Sequence, residues 1–91
     1  MNKSELVKAV AEKTGMTGTD TSKTLEAFMD VVGERLSQQE DVALIGFGTF
    51  KAKHRPESQG RNPSTGASIT IAAKNVAQFK PGKGLTDKLN A

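Results

Sequence analysis

The hydrophobic period changes once along this chain, at Asp41, and that change limits what the chain can fold into. Before it, Leu25, Phe28, Met29, Val32 and Leu36 recur at spacings of three and four, the repeat of one helix face. Glu26, Asp30, Glu34 and Arg35 occupy the far side of that helix. After it, Phe50 and Ala52 alternate with Lys51, Lys53 and Arg55, the repeat of a strand with two unlike faces. A shorter helix precedes both. Asn2 can cap it with Glu5 at its third position, Leu6, Val7, Val10 and Ala11 form its apolar stripe, and Gly15 is its stop. Thr17 to Ser22 read as turn and cap residues.

Beyond Asp41, Val42-Ala43-Leu44-Ile45 is a short buried strand, and Gly46-Phe47-Gly48 turns it into a second strand from Thr49 to about Glu57. Residues 56–68 hold almost nothing that could be buried and form a polar loop or an extended hairpin, its tip near Asn62 to Gly66. A third strand carries Ile69, Ile71, Ala73 and Phe79 in one phase and Lys74 and Lys80 in the other. Pro81-Gly82 ends it, and Leu85 to Leu89 make a short terminal helix. The fold class is therefore α+β: two helices, a three-stranded antiparallel sheet, and a short C-terminal helix.

One domain of 91 residues buries only about 60–65% of the surface of its unfolded chain. There is no Cys for a disulfide or zinc site, and four Phe without Tyr or Trp supply few large core side chains. A core shared between two subunits is the expected source of stability. The one histidine, His54, sits in the apolar phase of its strand with no second ligand nearby, so no metal or other cofactor is expected. Catalysis is disfavoured as well, because the basic half has no paired carboxylates and no nucleophile with a base. The start, Met1-Asn2-Lys3-Ser4-Glu5, is a charged helix start without an apolar signal core, which favours the cytoplasm, and no stretch has the length of a membrane span.

Charge divides where the period does. Residues 1–45 carry five bases and eight acids, net −3, while residues 46–91 carry eight bases and two acids, net +6. A mildly acidic scaffold joined to a basic surface suggests a polyanion as ligand. Lys51, Lys53 and Arg55 share one strand phase, Lys74 and Lys80 share one phase of the neighbouring strand, and Glu57 is the only acid in the two. At the hairpin tip, Gly60-Arg61-Asn62-Pro63-Ser64-Thr65-Gly66 is ordinary turn chemistry with two additions. Arg61 is long enough to enter a narrow minor groove, and Pro63 is a rigid apolar wedge with no N–H to leave unsatisfied.

These pieces together resemble the bacterial HU and integration host factor family. Met1-Asn2-Lys3-Ser4-Glu5-Leu6, Gly46-Phe47-Gly48-Thr49-Phe50, His54-Arg55, Gly60-Arg61-Asn62-Pro63 with Thr65-Gly66, and Phe79-Lys80-Pro81-Gly82-Lys83 appear in the family's order and spacing over essentially the whole chain. The resemblance implies an intertwined dimer, with residues 1–40 as a helical dimerisation half. Residues 41–83 would form a saddle sheet with a β-arm at about 56–70, and residues 84–91 a terminal helix. It implies a non-sequence-specific architectural protein that binds the minor groove with two arms, bends duplex DNA and helps condense the bacterial chromosome. Pro63 would intercalate at the arm tip, with Arg61, Asn62 and Arg55 in the groove and along the arm. Lys3, Lys51, Lys53, Lys74, Lys80 and Lys83 would lie near phosphates, and Phe28, Phe47, Phe50 and Phe79 would build the dimer core.

Where many family members carry further Lys or Arg, this chain has Ser58, Ala67, Thr70 and Thr86. Each lost phosphate contact lowers the salt slope of binding by roughly 0.9. The expected partner is thus double-stranded DNA, bent, nicked or flexible in preference to plain duplex. The other partner is a second copy of the chain or a related subunit. RNA is a side activity at most, since no aromatic stacking platform exists. Two rival readings are a sequence-specific bender like integration host factor and an assembly module that has kept the fold without the DNA role. Nothing in the sequence reads base edges, and no recognition helix carries groove-reading residues.

Overall fold

The computed structural model describes residues 1–91 and contains three helices and five strands: α1 Lys3–Thr14, α2 Gly18–Ser37, β1 Val42–Leu44, β2 Gly48–Arg55, β3 Ser58–Arg61, β4 Ser68–Ile71, β5 Lys74–Pro81 and α3 Lys83–Leu89. The chain divides into two units, Met1–Glu34 and Arg35–Ala91.

In the first unit, α1 begins and ends at its expected signals. Asn2 Oδ1 accepts from the Glu5 N–H at 2.9 Å, and Gly15, at φ 77°, donates its N–H to Ala11 O. Helix α2 starts earlier than its apolar stripe suggests, so Gly18 to Ser22 are helical and not turn residues. Thr17 is the reason. Its hydroxyl accepts from the Asp20 N–H at 3.1 Å and caps the helix at the very start of the expected turn-and-cap stretch. The stripe is only partly covered: Leu25, Val32 and Leu36 are half-buried, Leu6, Val10, Phe28 and Met29 are exposed, and only Thr21 in this unit is buried.

In the second unit, β1, β2 and β5 form one antiparallel sheet in the order β1-β2-β5, and β3 and β4 form a separate two-stranded ribbon. The expected second strand ends at Arg55, with β3 beyond it in the stretch read as a polar loop or extended hairpin, and the expected third strand is interrupted at Ala72–Ala73. Pro56 brings no N–H to the ladder. No residue is inserted on either side of the break, since Arg55 pairs with Lys74 and, three residues on, Ser58 pairs with Ile71. The ribbon therefore continues the β2–β5 hairpin in register, as an extended arm and not as a loop.

The β1–β2 turn depends on two glycines. Gly46 has φ 85°, a conformation that disfavours any side chain. A Cβ on Gly48 would stand 2.5 Å from Phe79 Cζ, so the ring packs directly on the backbone there. Phe79 lies between Phe47 and Phe50, with ring centroids 5.3 Å and 5.0 Å apart. Even so, Phe47 and Phe79 stay 45% and 38% exposed, and no apolar side chain of the chain is fully buried. A folded monomer of 9.7 kDa usually leaves about 5,100 Å² accessible. This chain leaves 7213 Å². Apolar side chains such as Phe47, Phe79, Ile69 and Ile71 are thus left partly open to solvent.

Candidate nucleic-acid interface

Directly opposed residues of an antiparallel pair project to the same face, so register decides which charges act together. Thr49 faces Lys80, Lys51 faces Gln78, Lys53 faces Val76 and Arg55 faces Lys74. Lys51, Lys53, Arg55, Lys74 and Lys80 accordingly share one face, as their sequence phases predict. Phe50, Ala52 and His54 share the other with Phe79, Ala77 and Asn75. On that second face His54 Nδ1 lies 2.9 Å from Asn75 Oδ1. Because the register runs unbroken into the arm, Arg61, paired with Ser68, falls in the same phase as the cations.

The arm is otherwise almost uncharged. Between residues 56 and 73 only Glu57 and Arg61 are ionic. Gln59 and Thr70 oppose each other on the phase of Arg61, while Ile69 and Ile71, 44% and 46% exposed, flank Gly60 on the other. Ser58 and Thr70 lie in the paired strands, Ala67 in the tip turn and Thr86 in α3.

The tip is built by Asn62. Its N–H donates to Ala67 O at 2.8 Å, its carbonyl accepts from Gly66 N at 2.7 Å, and its Oδ1 accepts from Ser64 N at 2.8 Å. Arg61 Nη1 reaches across the turn to Gly66 O at 3.1 Å. Pro63 makes none of these bonds and stands exposed at the end of the arm. The expected groove residues thus divide: Asn62 spends its side-chain oxygen shaping the turn, and Pro63 is held out by it.

The candidate phosphate contacts divide too. Lys53, Arg55, Lys74, Lys80 and Lys83 are exposed and make no ion pair. Lys3 Nζ, in the first unit, is 2.7 Å from Glu26 Oε1; the hydrogen bond from Lys3, then its charge, hold the Glu26 carboxyl below the usual carboxylate range. Lys51 Nζ is 3.6 Å from Asp41 Oδ2. Sequence phase alone missed Asp41 as a member of the cationic face. Extending the Val42–Phe50 pairing by one residue would have found it. The Lys3–Glu26 pair joins residues 23 apart on two helices and leaves no local signal. Of the four phenylalanines, Phe47, Phe50 and Phe79 cluster on the sheet. Phe28 belongs to the helical unit, where it lines an apolar hollow of about 200 Å³ with Val10, Met16, Thr21, Thr24 and Leu25.

A helix pair with an only partly covered apolar face, and a small sheet drawn out into a hairpin with one cationic side, define an α+β, arm-bearing protein of the kind that binds polyanions. Residues 1–90 match the model of the family described as bacterial DNA-binding protein, and the chain belongs to that family. It is 52% identical to DNA-binding protein HRL53 of Rhizobium leguminosarum over 99% of both chains. It is 51% identical to DNA-binding protein HU of Lactococcus lactis over 94% of both. Among solved structures, the Anabaena HU–DNA cocrystal superposes with a TM-score of 0.90 at 39% identity, covering 98% of this chain and 97% of that one. HU from Thermotoga maritima superposes at 0.69 with 29% identity and 98% coverage of each. The family is one of non-enzymatic architectural proteins.

Proposed function

We propose that this chain acts as a dimer that holds double-stranded DNA between two β-arms in the minor groove, bends it without reading its sequence, and helps condense the bacterial chromosome. The nucleoid, in the cytoplasm, is the setting such a role requires. The observation that carries this reading is the unbroken register of the hairpin. It sets Lys53, Arg55, Lys74, Lys80 and Arg61 on one phase and leaves Pro63 bare at the tip. Cations spread along strands, with no helix presenting base-reading side chains, suit phosphate and sugar contacts. A proline wedge at an exposed tip suits insertion between base pairs, which unstacks a step and bends the duplex.

In this reading residues 1–40 are the dimerisation half, residues 41–83 the DNA-binding sheet with its arm, and residues 84–91 the terminal helix. Phe28, Phe47, Phe50 and Phe79 belong to the core completed by the second copy. A chain that leaves roughly 2,000 Å² more exposed than a folded monomer of its mass has the surface for an obligate interface. Lys83 adds a phosphate contact beside Lys80.

The test is Pro63→Ala. Bend angle, read by energy transfer between duplex ends, is expected to fall sharply while affinity falls much less. Unchanged bending would remove the wedge from the mechanism.

A further inference from the structure

Asp41 lies outside the basic hairpin in sequence and on its cationic face in register. Val42 pairs with Phe50 and Ala43 with Thr49, so the next position along the ladder sets Asp41 opposite Lys51. That is the face of Lys53, Arg55, Lys74 and Lys80. Asp41 Oδ2 is 3.6 Å from Lys51 Nζ, and the two side chains are 49% and 43% exposed. An exposed pair of this kind adds little to folding stability, so its larger consequence falls on whatever else approaches the lysine.

A phosphate oxygen and a carboxylate oxygen compete for the same ammonium. The carboxylate has the advantage of being tethered a few ångströms away, and a phosphate that takes its place must also sit beside the displaced negative charge. Lys53, Lys74 and Lys80 have no such rival. We propose that Asp41 is an internal competitor for DNA phosphate: it occupies Lys51 in the free protein and keeps that lysine from adding to the grip on duplex. This rests on the DNA-binding reading above. It makes Asp41 a residue that weakens binding, and it removes Lys51 from the set of phosphate contacts made by the unaltered protein.

The experiment follows binding of a fluorescent duplex by anisotropy over roughly 50 to 300 mM salt, where the slope of log K against log salt counts the phosphates neutralised. The proteins are wild type, Asp41→Asn, Lys51→Gln, the double variant and Lys53→Gln, each as the full chain with its melting temperature checked. Asp41→Asn is expected to bind about three- to tenfold tighter at the low-salt end, with a slope steeper by about 0.9 per subunit engaged. Lys51→Gln alone is expected to change affinity less than twofold, and the double variant to lose the gain. Three outcomes overturn the proposal: an unchanged Asp41→Asn, a gain that survives in the Lys51→Gln background, or a Lys51→Gln loss as large as that of Lys53→Gln. Should the wild type itself bind without salt dependence, the DNA-binding reading fails, and this fails with it. That result is read from the unaltered protein alone.

Discussion

Two residues carry consequences that can be measured on their own. Gln39 is the one non-glycine residue with positive φ, at 61°. It closes α2: the Glu40 N–H returns to Arg35 O at 2.9 Å and the Gln39 N–H to Leu36 O at 3.0 Å, a left-handed helix stop of the type glycine usually makes. Gln39→Gly is therefore expected to stabilise the fold by about 0.5–1 kcal/mol, visible as a melting temperature raised by a few degrees. A lower melting temperature would mean the side chain contributes more than its strain costs. Glu26 carries the other consequence. Its carboxyl is held below the usual range by Lys3, so the protonation it resists is easier in the unfolded chain. The stability it adds is present above the ordinary carboxylate range and is lost as pH falls through its lowered value. Acidification should cost the wild type more melting temperature than it costs Glu26→Gln, and parallel pH profiles would contradict the pairing.

At the scale of elements, most of the framework was legible because each boundary has a local chemical cause. Asn2 and Gly15 delimit α1, and the change of period at Asp41 separates helix from strand. The demand for glycine at Gly46 and Gly48 follows from positive φ at one and the Phe79 ring at the other. What was misjudged depends on bonds that composition hides. Thr17 to Ser22 look like a turn because glycine and threonine are weak helix formers, yet one hydroxyl cap and the stripe beyond it outweigh that preference. Residues 56–68 lack apolar pattern, which left a polar loop and an extended hairpin both open; the hairpin is the one formed, since the register set by β2 and β5 persists past Pro56. Of the candidate site, the shared phase of the basic residues was readable from alternation alone. The acids that hold Lys3 and Lys51 were not, because pairing across helices or around a turn needs the register of the folded chain.

For the whole molecule, the decisive quantity is how little charge the arms bring to the DNA they would enclose. Outside Arg61 the arm from 56 to 73 has no cation, with serine, alanine and threonine at Ser58, Ala67 and Thr70, and Lys51 is engaged by Asp41. In the proposed mode binding would then draw on the sheet, and a duplex curved toward its free cations would meet more of them. Bending a site of 20–30 base pairs smoothly costs about 1–6 kcal/mol. With few arm contacts to offset that cost, DNA that bends at a discontinuity should be favoured. A duplex with a central nick is expected to bind about tenfold more tightly than its intact counterpart at physiological salt, a difference of about 1.4 kcal/mol. The slope against salt should be similar for the two, because the same phosphates are neutralised and only the deformation differs. A competition titration of both duplexes on one preparation measures both quantities. Equal affinities would mean that the arms hold straight DNA by contacts other than charge, for which the exposed Ile69 and Ile71 are the surface to examine.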